Sequence, residues 1–243
     1  MPPSSVGEIS CSPESLDADR VAGAPSGDPW LQRRHLLWGA SDVPVLFAAR
    51  GWLPPEALTA SQRADLEPNR QGIPRYLARK AGLMAPKRSS GGEEQERPLL
   101  SLWLRWAEEH GVDPDSVRHA SEWPREWMPL PDRYCPHLGA TPDAFGRDIY
   151  DGSLVGIELK APPDSDAWSR WGLRWTVQVQ AQMGVMGASR ALLVCGERWA
   201  IPPHEGPVTT MAIERDDAMI ARCREAAADA WETVERLRKG RGA

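Results

Sequence analysis

Two stretches, Gly139-Ala-Thr-Pro-Asp-Ala-Phe145 and Gly156-Ile-Glu-Leu-Lys-Ala-Pro162, decide how this chain is read. Side chains along a strand alternate between faces. In Ser153-Leu-Val-Gly-Ile-Glu-Leu-Lys160 the acid of Glu158 and the amine of Lys160 therefore share one face, and Ile157 and Leu159 share the other. The apolar pair can anchor in a core, which makes the opposite face a rigid ledge for charge. Gly146-Arg-Asp148 reads as a turn, so Asp143 falls at or near the end of a partner strand, and a hairpin would bring Asp143 and Glu158 to one cation.

An acid and a lysine two apart on a strand are also a common solvated face. Lysine is scarce here, however. Lys80, Lys87, Lys160 and Lys239 are the only four among 29 Lys+Arg, so a lysine on an apolar strand departs from the chain's habit of using arginine. Near neutral pH only the amine exchanges a proton readily, which favours lysine where water is activated. A hard cation such as Mg²⁺ would bind Glu158 through oxygen, with Lys160 steering a water on it and helping to deprotonate it. These are the groups that phosphodiester cleavage needs.

At 243 residues and 41% apolar content the chain is long enough for one domain with a substantial core, predicted over 30–243. The first 29 residues, rich in Pro, Ser, Gly and Asp, predict a flexible acidic tail. No run of about 18 apolar residues and no secretory pattern is present, so no membrane association is expected. Cys11, Cys135, Cys195 and Cys223 form no Cys-x-x-Cys pair, which fits a reducing cytoplasm, the host's if the chain is virus-encoded. Cys135-Pro-His137 lacks a second half for a zinc site. The net charge of −5 is uneven: residues 31–90 carry eight arginines and two lysines against Asp42, Glu56, Asp65 and Glu67, hence +6. A local basic stretch suits phosphate contact, though it also describes a solvated helical surface.

Along the chain, a helix is predicted from Trp30, a second over Ala40–Phe47 capped by Ser41 or Asp42, others from Pro54-Pro55 and over Ile73–Ala81, and a long one over Glu93–His110. Strands follow at about 117–129, 133–143 and 153–160, then a helix over Trp168–Met186, strands at Ala191–Cys195 and Val208–Glu214, and a last helix over Asp216–Arg238. This is an α/β pattern, a central mixed sheet flanked by helices with a helical N-terminal part. A third acid for the cation comes from Glu93, Glu94 or Glu96, which spacing does not separate, because first-turn acids also offset the helix dipole. Trp171, Trp175, Gln178 and Gln182 share a helix face; glutamine there suits contact with a metal site or a phosphate, or simply with water.

Taken in order, Gly39-Ala-Ser-Asp-Val43, Arg79-Lys-Ala-Gly-Leu83, Gly92-Glu-Glu-Gln-Glu-Arg-Pro98, Thr141-Pro-Asp-Ala144, Gly156-Ile-Glu-Leu-Lys-Ala-Pro162, Val177-Gln-Val-Gln-Ala-Gln-Met183 and Ile213-Glu-Arg-Asp-Asp217 resemble the lambda exonuclease/YqaJ group of viral recombination nucleases, within the PD-(D/E)xK superfamily. The resemblance covers nearly all of 30–238. It implies Glu96 as the helical acid, four residues after Gly92. It also implies Asp143 and Glu158 as metal-binding carboxylates, the Leu159 carbonyl as a further ligand, Lys160 as the group positioning the attacking water, and Gln178 as the active-site glutamine. Arg34, Ser41 and Thr141 match positions resembling a pocket for a DNA 5′-phosphate. The cofactor implied is Mg²⁺, with Mn²⁺ as a substitute.

The activity implied is 5′-to-3′ digestion of one strand at double-stranded DNA ends, feeding a single-strand annealing partner, with a ring-shaped trimer as the assembly. Two features depart from the family: Ala144 stands where glycine is frequent, and the tail has no counterpart. The alternatives are a restriction- or repair-type endonuclease on the same core and a noncatalytic DNA-binding recombination scaffold. The scaffold predicts a lost ligand, and all are present. A nucleobase-binding or redox protein would need a glycine-rich phosphate loop or paired cysteines, which the sequence lacks.

Overall fold

A computed structural model describes residues 34–85, 93–123, 128–162, 167–196 and 208–240. The predicted tail, the start of the first helix at Trp30 and residues 124–127 of the strand expected at 117–129 lie outside the described residues. Helices flank two mixed sheets, where the sequence pointed to one. In the small sheet, β1 (Trp38–Gly39) pairs parallel with β4 (Leu138–Ala140), and β3 (Leu130–Pro131) pairs antiparallel with β4. The larger sheet runs β2 (Val112–His119), β5 (Ala144–Asp148), β6 (Leu154–Lys160), β7 (Arg190–Gly196), β8 (Val208–Glu214). It is antiparallel except at β6–β7.

The helices are α1 (Val43–Ala49), α2 (Ala60–Leu66), α3 (Arg75–Lys80), α4 (Glu93–Trp103), α5 (Ala167–Met186) and α6 (Asp217–Lys239). Strand alternation places one helix on each face of the larger sheet. Val155, Ile157 and Leu159 of β6, with Leu192 and Val194 of β7, pack on Leu99, Leu100 and Trp103 of α4. Ala191 and Leu193 of β7 and Ile213 of β8 pack instead on Trp175, Val179 and Met183 of α5. Each large aliphatic buried in this way contributes roughly 1.5–3 kcal/mol. The other side of α5, with Val177 and Ala181, meets Leu46 and Phe47 of α1 and Cys223, Ala226 and Ala227 of α6. A Cβ on Gly184 would sit 2.6 Å from Ile220 Cγ2, so glycine permits the close approach of α5 and α6.

Several boundaries differ from expectation. The helix predicted over Glu93–His110 is α only to Trp103, continues as short 3₁₀ turns, and ends at Gly111, whose φ of 71° is left-handed. The strand expected from 117 starts at Val112 and stops at His119, whose ring accepts the Ser121 N–H to start a 3₁₀ turn. Most of 133–143 is not strand, because Asp132 Oδ1 accepts the N–H groups of Tyr134 and Cys135, both at 2.8 Å, and folds the chain into a turn before β4. The hairpin turn falls after Asp148 rather than at Gly146–Asp148, since β5 continues through those residues. Asp42 accepts the Gly39 N–H at 3.0 Å and so closes a 3₁₀ turn over Ala40–Asp42, rather than capping α1.

Candidate active site

The antiparallel register Ala144↔Ile157 brings Asp143, the residue before β5, level with Glu158 on β6. Two backbone bonds fix it there. Asp143 Oδ2 accepts the Leu159 N–H at 2.8 Å, and its carbonyl accepts the Ala120 N–H at 2.8 Å. Glu158 is not a solvated ledge. It is 1% exposed and lies beneath α5, where Gln178 Nε2 donates to Oε1 and Gln182 Nε2 donates to Oε2 at 2.5 Å. Lys160 pairs with the same Oε1. One strand and two glutamines a helical turn apart thus hold a carboxylate that would be costly to bury without donors.

The charges in this cluster are strongly linked. Burial pushes the Asp143 carboxyl well above the usual carboxylate range, and the nearby Glu158 adds to the rise. Lys160 and the Leu159 N–H oppose it without cancelling it. Burial alone would lower the Lys160 ammonium, but Glu158, Asp143 and Glu96 outweigh it, so the amine is held above the ordinary lysine value. In this arrangement Lys160 is a firm cation that can orient a water or a phosphoryl oxygen.

Asp143, Glu158, Lys160 and Gln178 converge. Glu96, on the opposite flank of the sheet, is near enough for its charge to act on Asp143 and Lys160. The side chains of Glu93 and Glu94 lie outside the described residues. Leu159 enters the site through its N–H, donated to Asp143. Gln182 equals Gln178 in contact with Glu158 and was singled out only by sharing its face; Gln180 points away, to the Glu214 carbonyl and the Asp216 N–H.

Of the 5′-phosphate candidates, Ser41 and Thr141 lie just past the ends of β1 and β4, and Arg34 precedes β1. Parallel pairing of Gly39 with Gly139 makes Ser41 and Thr141 equivalent, two residues past each strand partner. Arg34 contributes positive charge around the nearby Asp42: burial pushes that carboxyl up, but Lys80 and Arg34 with the Gly39 N–H outweigh it and hold it below the ordinary value. Much of the basic 31–90 stretch is already engaged. Arg50 pairs with Glu225 and Asp229, Arg79 with Asp65, Arg75 with Glu67 and Lys80 with Asp42. Cys135 donates to the Arg224 carbonyl and His137 stacks on Trp231, so neither is arranged as a zinc ligand.

The donor chemistry fits a hard divalent cation. Asp143 and Glu158 supply carboxylate oxygens, and after burial it is the neighbouring charge of Glu158, with Glu96, that raises Asp143. Among the described residues no three His, Cys, Asp or Glu are grouped closely enough to hold a metal as they stand, with Glu158 oxygens engaged by Lys160 and the glutamines.

No family model and no curated protein matches the sequence. Solved structures do match the fold. An alkaline exonuclease (LHK-Exo) from Laribacter hongkongensis is similar over 86% of this chain and 93% of its own, at 18% identity and a TM-score of 0.58. The same exonuclease in complex with dAMP gives 0.55 at 19% identity, over 86% and 95%. A phage-related exonuclease from Haemophilus somnus 129PT gives 0.52 at 13% identity, over 84% and 95%. At these identities the likeness establishes a shared fold spanning most of each chain.

Proposed function

We propose that this chain is a Mg²⁺-dependent deoxyribonuclease that digests one strand of linear duplex DNA from its 5′ end, with Mn²⁺ as a substitute metal, leaving a 3′ overhang for a single-strand annealing partner. The observation that carries this reading is the convergence of Asp143, Glu158 and Lys160 beneath Gln178 and Gln182. The fold shared with alkaline and phage-related exonucleases supports it. A trimeric ring would supply processivity.

Asp143 and Glu158 would hold the cation, with Glu96 and the Leu159 carbonyl as further donors. When bound, it supplies Lewis acidity toward the phosphoryl group. The chain's own residues do the rest. Gln178 and Gln182 fix the Glu158 carboxylate, so that it need not reorganise during the reaction. The Leu159 N–H fixes Asp143. The Lys160 ammonium, leaving Oε1 of Glu158, donates a hydrogen bond that aligns the attacking water with the phosphorus. Arg34, Ser41 and Thr141 receive the terminal 5′-phosphate and so select the strand.

The test incubates the protein in Mg²⁺ with linear duplexes bearing 5′-phosphate or 5′-hydroxyl ends and with closed circular DNA, mapping products on each strand. The phosphorylated strand should shorten from its 5′ end while the circle stays intact. Cutting of the circle would favour an endonuclease, and survival of every substrate would refute the nuclease reading.

A further inference from the structure

Arg174 stands one helical turn before Gln178 on α5 and is 9% exposed. Its guanidinium lies over the rings of Trp171 and Trp175, 5.2 and 5.5 Å from their centroids. Nη1 donates to Gln62 Oε1 at 3.0 Å, an amide oxygen that also accepts the Thr59 N–H at 3.3 Å. Nε is buried and makes no hydrogen bond. Arg79, Arg190 and Arg224 each meet a carboxylate, whereas Arg174 meets none among the described residues. Burial pulls its pKa down to about 10, so it remains charged at neutral pH. A cation kept in an apolar wall without an acid raises the local positive potential, and low polarity around it strengthens any ionic contact it makes.

Its place is specific. On one side the same helix carries Gln178, on Glu158; on the other, Gln62 donates to the Ser41 carbonyl at 3.3 Å. We propose that Arg174 binds a phosphodiester group of the bound DNA strand, between the Glu158 cluster and the Ser41–Thr141 edge. This rests on the reading of DNA as substrate. With Nη1 on Gln62 and Nε without a partner, the Nε and Nη2 edge carries the paired N–H geometry that guanidinium uses toward phosphate.

Full-length wild type, Arg174→Met and Arg174→Lys are tested for binding a fluorescent 5′-phosphorylated duplex in EDTA, over a series of salt concentrations. Arg174→Met should weaken binding about 10-fold at low salt, the loss of one charge-assisted contact. Its log–log salt slope should become less steep by about 0.9, the value of one neutralised phosphate. Its melting temperature should hold or rise, because an unpaired cation has left an apolar wall. Arg174→Lys should keep the slope and recover part of the affinity. Unchanged affinity and slope in Arg174→Met, or a lowered melting temperature with an unchanged slope, overturns the proposal. Stabilisation of wild type but not Arg174→Met by inorganic phosphate, with an unchanged DNA salt slope, overturns it in favour of a free-phosphate site. Failure of wild type itself to bind or cleave any duplex refutes the nuclease reading instead, a result separable from all of these.

Discussion

Replacing Gln182 with leucine isolates the role of the α5 roof. Gln182 is 5% exposed and its amide is the side-chain donor to Oε2 of Glu158, itself 1% exposed, at 2.5 Å. Leucine keeps the volume and removes the donor, while Gln178 and Lys160 still hold Oε1. A hydrogen bond to a charged group is worth about 1.5–3 kcal/mol. For a chain of this size that lowers the melting temperature by roughly 3–12 °C. If Gln182 also orients a metal-binding carboxylate, cleavage should fall about 10–100-fold beyond any loss of folded protein, as for other groups that orient metal ligands. Gln180→Leu is the control. Gln180 is 2% exposed and makes backbone bonds of 2.6 and 2.9 Å, so stability should fall comparably while the folded protein keeps its activity. Denaturation curves and initial rates on a 5′-phosphorylated linear duplex, taken well below both melting temperatures, separate the two effects. Wild-type activity per folded molecule in Gln182→Leu, or equal activity losses in both variants, would refute the reasoning.

Lys160→Ala should lower strand cleavage about 10²–10⁴-fold, the range for a group acting on the transferred atoms, while filter binding of the duplex is largely kept. Asp42→Asn leaves the Lys80 ammonium, on a side chain only 13% exposed, without its acid, and should cost between about 1 kcal/mol for an exposed pair and about 3 kcal/mol for a buried one. Because the folded Asp42 carboxyl lies below its ordinary value, that contribution is present above about pH 4 and lost as pH falls through the folded value. Urea denaturation should therefore separate wild type from Asp42→Asn at pH 7 and bring them together in strong acid. Gly139→Ala places a Cβ 2.9 Å from the Leu130 carbonyl oxygen and 2.8 Å from Leu37 Cδ1, and should lower stability by about 1–3 kcal/mol in a thermal melt. Arg34→Ala should reduce the rate advantage of 5′-phosphorylated over 5′-hydroxyl ends.

The Glu158 ledge was legible because β6 obeys a period of two: Ile157 and Leu159 do pack against a helix, and Glu158 does face the other way. What faces it was only half visible. Spacing put Gln178 and Gln182 on one side of α5, yet water was an equal destination for them, and only the packing of α5 on β7 and β8 turns that side onto Glu158. Lysine at 160 suggested proton exchange; that Asp143 just before β5, Glu158 on β6 and Glu96 on α4 together raise its pKa is an effect no local pattern reports. Arg174 was not legible at all, since an arginine between tryptophans on a helix reads as surface until Gln62, more than a hundred residues earlier, is found against it. The 133–143 stretch failed as a strand for a local reason, the Asp132 side chain taking backbone N–H groups that a ladder would have used.

The decisive measurement is anomalous scattering from a crystal soaked in Mn²⁺. A peak is expected between the Asp143 and Glu158 carboxylates, with Lys160 turned away from Oε1 and Gln182 still on Oε2. Well-ordered carboxylates with Lys160 still paired to Glu158 and no anomalous peak between them would contradict it.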